Sequence, residues 1–397
     1  MTGPDAARQG PATAAVTGPT RRELHVLTPG DHFSPRTGSA IPTVVDGLCR
    51  ALPGGRTRPG VLVQAGTYSD RYDSAECLEY PPVPARRADR LLDAAAGRLG
   101  LGRPGARRVL AAALAGQQVW PDATVLAHNA VPLVATVGPR HRAVLYAHNQ
   151  LLRTYTRAEA GRALGGAAAV CAVSGALADQ LASRLPPVVA DRIRVVPNGV
   201  DTQHFTPRAD PGRGDRLRVV FVGRMIRDKG ADVLVDAVAR LDRPDLELVL
   251  VGSRNFDAAA APSPFEQDLR ERAGPLGDRV RTVPFTPRAE VAQLYRDADV
   301  VVVPSRWAEP FALTVMEGMA SGVPVVASAV GGIPEVAGDA GILVPPGDPD
   351  SLAAALEALA DDESLRLSAG ARARRWAEAH DWYWARGRLD SVLHEVD

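Results

Sequence analysis

"VVVPSRWAEPFALTVMEGMASGVPVVAS", residues 301–328, has the order strand, loop, helix and strand. Its two valine-rich runs are continuous rather than alternating, which is typical of strands that are buried on both faces of a parallel sheet. A loop with Glu309 and Pro310 joins the first run to a helix that begins near Ala312. Only "SGVP" separates this helix from the next strand, so we expect the helix to pack beside a central strand.

Runs of the same kind occur along most of the chain. The first half contains LHVLT, GVLVQAG, TVLAH, AVLYAH, AAVCAVS and IRVVPNG, and the second half contains LRVVFVG, LELVLVG, RVRTVPF, ADVVVVP and VPVVAS. Helical stretches rich in Ala, Leu and Arg lie between several of these runs. The alternation predicts an α/β chain with two Rossmann-like units.

The length of 397 residues also favours two domains. We predict a disordered tail over residues 1–22, a first domain over 23–200, a linker over 201–216, a second domain over 217–375 and a C-terminal helix over 376–397. The aromatic residues of the last helix either cap the second domain or anchor the helix on the first, and we predict that the helix crosses back. Ligands then bind in the cleft between the domains, at the carboxyl ends of the strands.

Composition excludes several classes of protein. The chain has 46 Lys plus Arg and 46 Asp plus Glu, and this zero net charge argues against nucleic-acid binding. Cys49, Cys77 and Cys171 have no C-x-x-C spacing, which points to a reducing compartment rather than to disulfides or zinc. The N-terminal residues lack the apolar core of a signal peptide, and no uninterrupted run of 18 apolar residues occurs. We therefore expect a cytoplasmic location and no transmembrane segment.

"GRMIRDKG", residues 223–230, contains the only lysine of the chain. One explanation of this single lysine is chance, because a GC-rich coding bias replaces most lysines by arginine. The other is a phosphate site, which needs a compact ammonium group. Gly223 and Arg224 follow a buried strand, and a helix opens just after Lys229. Backbone N–H groups at the helix start, together with the two cations, would form a site for a phosphate or diphosphate.

Two carboxylates in residues 301–328 carry a stronger signal. Glu309 in the loop could accept hydrogen bonds from sugar hydroxyl groups, and Glu317 in the helix could bind a vicinal diol such as a ribose. The alternative is that Glu309 caps the helix and Glu317 is a solvated surface residue. Val315, Met316 and Met319 around Glu317 weaken that alternative.

Together with "GILVPPGDPDSLAAAL" and "VVPNGVD", these motifs resemble the donor half of retaining glycosyltransferases of family four, which have the GT-B fold. The resemblance covers roughly residues 193–362. It implies that Arg224 and Lys229, beside Gly223, bind the diphosphate of a nucleotide-sugar donor, most simply a UDP-sugar. It implies no metal ion and no other cofactor, because cationic side chains and a helix dipole neutralise the negative charge of the diphosphate.

The resemblance also implies the remaining donor contacts. Glu309 would hold the donor sugar and Glu317 the ribose. Backbone groups of the loop and helix start would assist Glu309, and two residues of "VPFTPRAEV" would lie against the nucleobase. These further residues are Pro310, Phe311, Ala312, Leu313, Thr314, Phe285 and Thr286.

The first domain matches the family less well. Gly38 and Ser39 stand where the family often has two glycines after the first strand, and a serine fits there only if its φ is negative. His148 ends a strand at the position of the family's histidine that faces the donor sugar. His128, which ends the preceding strand, is a second candidate for a contact in the cleft.

The resemblance implies a retaining transferase that moves a hexose or N-acetylhexosamine to a hydroxyl acceptor by front-face substitution. A nucleotide-sugar epimerase of the same architecture and a non-catalytic nucleotide-sugar binding protein are the alternatives. The sequence leaves the acceptor unknown. The arginine-rich residues 86–108 could make a peripheral membrane contact. Glycines interrupt any long amphipathic helix there, so a solvated helical face is the simpler interpretation.

Overall fold

A computed structural model describes residues 21–209, 216–255 and 261–397. Most of the predicted tail, residues 1–20, lies outside the described residues, as does the part of the predicted linker at 210–215. We propose that the domain limits follow the two sheets, at 23–200 and 217–375. None of the helices in the described ranges combines the length and the apolar character that crossing a bilayer requires.

The first sheet has seven parallel strands in the order β3-β2-β1-β4-β5-β6-β7. Their bounds are β1 Arg22–Val26, β2 Gly60–Gln64, β3 Glu76–Tyr80, β4 Ala123–His128, β5 Arg142–Ala147, β6 Ala167–Ala172 and β7 Ile193–Val195. The second sheet has six parallel strands in the order β10-β9-β8-β11-β12-β13. Their bounds are β8 Leu217–Val222, β9 Leu246–Val251, β10 Val280–Val283, β11 Val300–Val303, β12 Val325–Ser328 and β13 Ile342–Val344.

Helices cover both faces of each sheet, which explains why the central strands are continuous apolar runs. Every residue of β4 and of β11 is buried. The helices of the described ranges are α1 Ala40–Arg50, α2 Asp89–Arg98, α3 Pro104–Ala111, α4 Val131–Val134, α5 Arg157–Leu164, α6 Gly175–Ala182, α7 Pro187–Ala190, α8 Ala231–Leu241, α9 Pro264–Ala273, α10 Arg288–Arg296, α11 Leu313–Ala320, α12 Ile333–Ala337, α13 Pro349–Asp361, α14 Glu363–Ala379 and α15 Trp382–Val396. The predicted α/β class with two Rossmann-like sheets is confirmed.

Each sheet has one point where the direction of the strand order reverses. In the first sheet the chain moves outward from β1 to β3 and then returns to the other side of β1 with β4. In the second sheet β8 and β11 meet in the same way. A crevice opens at the carboxyl ends of such strand pairs, and ligands of α/β proteins bind there.

The C-terminal helix crosses back to the first sheet, as predicted, but it begins later than residue 376. Trp376 belongs to α14, and its indole nitrogen donates to the carbonyl oxygen of Val336 in the second domain at 2.9 Å. The crossing helix is α15. Its Trp382 packs on α1 at Gly47, where a Cβ atom would lie 2.3 Å from the indole ring.

A buried ion pair fixes α15 on the first sheet. Arg386 is 1% exposed and donates two hydrogen bonds, of 2.7 and 2.6 Å, to the carboxylate of Glu23 in β1. Arg56 contributes a second cation at 2.9 Å from the same carboxylate. Because both carboxylate oxygens are satisfied in a bidentate geometry, the pair gives the helix one defined position.

Candidate active site

A cavity of about 400 Å³ lies between the two sheets, where the switch points face each other. All of the site residues predicted from the sequence line it, apart from His128. The predicted residues at the cavity wall are Gly38, Ser39, His148, Gly223, Arg224, Lys229, Phe285, Thr286, Glu309, Pro310, Phe311, Ala312, Leu313, Thr314 and Glu317. The structure thus brings residues from six separate segments into one place.

The single lysine reaches the cavity because of a tight turn. A 3₁₀ turn, Arg227–Lys229, is followed by Gly230 at a φ of +71°. A Cβ atom on Gly230 would lie 1.9 Å from the carbonyl oxygen of Pro304, just after β11, so only glycine allows this approach. Lys229 Nζ then lies 2.5 Å from Glu309 Oε1. The two predicted catalytic side chains therefore form an ion pair.

Glu309 is 4% exposed and is held in a fixed loop. Its Oε1 also accepts a hydrogen bond from Ser305 Oγ at 2.7 Å, and its carbonyl oxygen accepts one from the Gly332 amide at 2.7 Å. A Cβ atom on Gly331, whose φ is +61°, would lie 2.4 Å from that carbonyl oxygen. Glu309 forms no cap, because the residue that precedes α11 is Ala312 and no side chain caps this helix.

The start of α11 forms one wall of the cavity in a strained conformation. Ala312 has φ 64° and ψ 78°, in the left-handed region that costs a non-glycine residue roughly 1–3 kcal/mol. The uncapped helix start presents the first amides, at Leu313 and Thr314, beside the cavity. Such amides bind anionic or hydroxyl oxygens.

Glu317 lies just over one turn into α11 and is 4% exposed, so it is not a solvated surface residue. Arg288 Nη1, at the start of α10, lies 2.5 Å from Glu317 Oε1. The guanidinium also lies over the ring of Phe205, 5.1 Å from its centroid. Arg288 lines the cavity, and the sequence analysis did not identify it.

Arg224 differs from Lys229 in having no ion pair with any described residue. It is exposed and follows Gly223 at the carboxyl end of β8. Its guanidinium is therefore available to a ligand without the loss of an internal contact.

The first domain forms the opposite wall. Ser39 precedes α1 with φ −70°, so the condition for a serine at this position is met. Its hydroxyl group donates to Asp31 Oδ1 at 3.3 Å, and no side chain caps α1.

Phe285 lies in the second domain, where its amide donates to Ser253 Oγ at 3.0 Å. Thr286 donates to the carbonyl oxygen of Pro284.

His148 lines the cavity, but His128 does not. His128 is fully buried in the sheet, and its Nδ1 lies 2.8 Å from His148 Nε2. The prediction that His128 contacts the cleft is wrong, because the register of β4 and β5 aligns His128 with Tyr146, two residues before His148. His128 contacts His148 instead.

Three buried polar atoms at the cavity wall form no hydrogen bond with any described residue. They are His148 Nδ1, Asn198 Oδ1 and Trp307 Nε1. Buried polar atoms are almost always paired with a protein group, a water molecule or a ligand. Asn198 belongs to the motif VVPNGVD and Trp307 to the stretch 301–328, yet neither side chain was singled out from the sequence.

The described residues contain no group of three or more His, Cys, Asp or Glu side chains that could hold a metal ion. Independence of metal ions stays a prediction for chelation to test.

Burial lowers the pKa of His148 to about 3. Burial also holds the pKa of His128 well below its usual value. Both rings are therefore neutral near pH 7.

We expect the free energy of unfolding to fall as the pH drops below about 6.5. Below this pH the unfolded chain binds protons at His128 and His148, whereas the folded chain keeps both rings neutral. Each ring contributes a slope of about 1.4 kcal/mol per pH unit, which for His148 ends near pH 3. Urea unfolding of the wild type between pH 7 and pH 5 measures this slope. His128→Phe removes one of the two groups, and an unchanged slope in this variant would contradict the assignment.

Comparison with known proteins covers both halves of the chain. Residues 41–204 match the family model described as Glycosyltransferase Family 4, and residues 216–362 match the model described as Glycosyl transferases group 1. The chain belongs to glycosyltransferase family 4.

Curated relatives of this family 4 chain include two D-inositol 3-phosphate glycosyltransferases. The protein of Paenarthrobacter aurescens is 40% identical over 238 residues, which are 56% of this chain and 56% of the relative. The protein of Corynebacterium kroppenstedtii is 35% identical over 222 residues, which are 52% of this chain and 49% of the relative. The matches therefore span about half the length of these relatives.

Solved structures agree with the fold of the family 4 chain. HepE from Anabaena, solved in complex with UDP and glucose, superposes with a TM-score of 0.71 at 19% identity, over 94% of this chain and 99% of that one. Sucrose-phosphate synthase from Thermosynechococcus elongatus has a TM-score of 0.73 at 22% identity, over 94% and 98%. The predicted GT-B fold is confirmed.

Proposed function

We propose that this family 4 chain is a retaining glycosyltransferase that moves a hexose or N-acetylhexosamine from a nucleoside-diphosphate sugar to a hydroxyl acceptor. The observation that carries the proposal is the arrangement of Arg224, Lys229, Glu309 and Glu317 around one cavity between two Rossmann-like sheets. A UDP-sugar is the proposed donor, and HepE, a protein of the same fold, was solved with UDP-glucose.

The proposed roles follow from charge and position. Arg224 and Lys229 neutralise the diphosphate, whose negative charge increases as the sugar leaves. Lys229 already contacts Glu309, so the same ammonium group links the diphosphate to the carboxylate that holds the sugar. Glu317, oriented by Arg288, binds the ribose, and the amides at the start of α11 bind further donor oxygens.

The proposed reaction is a front-face substitution. The acceptor hydroxyl attacks the anomeric carbon on the face that the nucleotide leaves, and the departing phosphate oxygen takes the proton. No protein nucleophile is required, so the chain supplies position and charge stabilisation. Retained configuration in the product, measured by the anomeric proton signals in NMR, is the expected result, and an inverted product would contradict a retaining reaction.

A screen of nucleotide sugars against hydroxyl acceptors, read by mass spectrometry in buffer with EDTA, tests the function. Transfer with formation of nucleoside diphosphate is the expected result. An epimerase would change the sugar of the donor without releasing the diphosphate, and a binding protein would bind the donor without changing it. Activity that EDTA abolishes and Mn²⁺ restores would contradict the proposed metal independence.

The cytoplasmic location is also a proposal. It is supported by the state of Cys49, Cys77 and Cys171, which are all free thiols.

We further propose that α2 contacts a lipid surface, which favours an acceptor at a membrane. Only Gly97 of this helix is buried. The side chains of Leu91, Leu92 and Leu99 are 77%, 56% and 76% exposed, and their spacing places them on one face. The solvated face expected from the sequence is thus apolar in part.

Four exposed arginines lie on α2, next to it in the chain, or on the adjacent α3. Arg87, Arg90, Arg98 and Arg107 are exposed and form no ion pair with any described residue. A helix with an apolar stripe and a basic rim binds the interface of anionic bilayers. The chain as a whole has no net charge, so these four arginines form a local excess of positive charge. Such an excess is attracted to an anionic lipid surface more strongly than to a neutral one.

Sedimentation with vesicles tests this surface. The wild type is expected to sediment with phosphatidylglycerol vesicles and to remain in solution with phosphatidylcholine vesicles. Leu91→Ser combined with Leu92→Ser should lower the bound fraction at least tenfold, whereas the control Val188→Ser, at a residue 63% exposed on α7, should not. Equal binding of both variants would contradict the proposal, as would a dimer in solution that the leucine substitutions abolish.

A further inference from the structure

A chain of three histidines runs from the cavity into the first sheet. His148 Nε2 lies 2.8 Å from His128 Nδ1, and His128 Nε2 lies 2.9 Å from His25 Nδ1. The ring planes are nearly parallel, at 18° and 21° to each other, and the ring centroids are 5.1 Å apart at both steps. His25 Nε2 then lies 3.7 Å from Glu23 Oε2 and has no hydrogen bond with another described residue. All four side chains are buried.

Hydrogen bonds along such a chain have only two consistent directions, because each neutral imidazole has one donor and one acceptor nitrogen. An anionic Glu23 beside His25 Nε2 favours a proton on that nitrogen, which leaves His25 Nδ1 as an acceptor. His128 must then donate from Nε2 and accept at Nδ1. The same step places the proton of His148 on Nε2.

The charges around Glu23 support a neutral His25. Burial alone raises the pKa of Glu23, but the contacts of its carboxylate with His25 and Arg386 outweigh burial and hold this pKa well below its usual value. Arg386 and Arg56 both bind Glu23, and both also bind Asp390. Two cations therefore already balance two carboxylates, and a third cation at the fully buried His25 would be uncompensated.

We propose that Glu23, His25 and His128 are positioning residues that fix the tautomer of His148 with its acceptor nitrogen, Nδ1, at the cavity. There Nδ1 accepts a hydrogen bond from a hydroxyl group of the bound sugar, an inference that rests on the proposed function. His148 Nδ1 is one of the buried atoms at the cavity wall without a partner among the described residues. The anchor of this chain, Glu23, is also the residue that holds α15, so the position of α15 supports the donor site.

Nitrogen NMR of ¹⁵N-histidine protein tests the tautomers without any substrate. We expect His25, His128 and His148 to carry their protons on Nε2 at pH 7, and single His→Asn variants assign the signals. A proton on His148 Nδ1 overturns the proposal. Because this measurement uses the free protein, its outcome is independent of whether the protein transfers sugar.

Kinetics separate positioning from a merely structural role. His128→Phe keeps a ring but breaks the chain, and it is expected to raise the KM for the donor about tenfold and to yield both tautomers of His148. His128→Gln keeps one acceptor and one donor and should restore most of the affinity. The control is His141→Phe, because His141 is also buried and hydrogen-bonded but lies outside the histidine chain and the cavity. An equal change in KM for His128→Phe and His141→Phe overturns the proposal.

Discussion

Arg224→Ala and Lys229→Ala are each expected to lower kcat/KM about 100- to 1,000-fold, because loss of one group that stabilises developing negative charge has an effect of this size. The two variants should differ in stability. Arg224 is exposed and has no ion pair to lose, so its removal should leave the free energy of unfolding within about 0.5 kcal/mol of the wild type. Removal of Lys229 leaves the buried Glu309 unpaired and should cost about 1–3 kcal/mol.

Arg227→Ala is the matched control for Arg224→Ala. Arg227 lies on the same connection and is exposed, but it contacts Phe265 and Asp268 rather than the cavity. Its removal should leave kcat/KM within about twofold of the wild type. Steady-state kinetics with varied donor and urea unfolding measure both quantities, and wild-type turnover in Arg224→Ala would overturn the diphosphate assignment.

Lys229→Arg tests why this position is a lysine. The side chain of Lys229 is 23% exposed, and its ammonium group lies 2.5 Å from Glu309 Oε1, at the end of a turn that Gly230 holds close to Pro304. A planar guanidinium is larger and is expected to displace either the carboxylate or the ligand. We expect at least a tenfold loss of kcat/KM, and full activity would favour chance retention of the lysine through coding bias.

Glu309→Gln is expected to lower kcat about 100-fold with little change in the KM for the donor. Its carboxylate binds Lys229 and Ser305 and is proposed to hold the sugar as positive charge develops at the anomeric carbon. Glu317→Gln should instead raise the KM for the donor about tenfold, because the ribose changes little during the reaction.

The control for both carboxylates is Glu159→Gln. Glu159 is 1% exposed and pairs with Arg103 at 2.8 Å, away from the cavity between the sheets. It should lose stability without a change in kcat or KM. A reversed pattern at Glu309 and Glu317 would show that their roles are exchanged.

The central strands could be predicted from the sequence because both of their faces are buried, which gives continuous valine-rich runs. The two strands that the sequence analysis did not identify, β3 and β13, both lie at sheet edges. In β3 only Tyr80 is buried, and in β13 only Val344 is. The other two edge strands, β7 and β10, were predicted although they bury no residue, so burial alone does not explain these two misses. In β3, Glu76 and Glu79 interrupt the apolar run.

The residues of the site could be predicted where a local motif carries them, as at Arg224, Lys229, Glu309 and Glu317. The ion-pair partners of these residues could not be predicted. The contact of Glu317 with Arg288, for example, depends on how α10 packs beside α11. The same reason applies to the histidines. His25, His128 and His148 lie on or just after three strands, and the order of β1, β4 and β5 in the sheet brings them into line.

Calorimetric titration with UDP, and in parallel with ADP and GDP, in buffer with EDTA, tests the central claim that the cavity binds the diphosphate of the donor. We predict that the wild type and Arg227→Ala bind at least one of these nucleotides with the same Kd, and that Arg224→Ala binds it at least tenfold more weakly. Absence of binding to all three nucleotides, or equal affinity of Arg224→Ala and the wild type, would contradict the account.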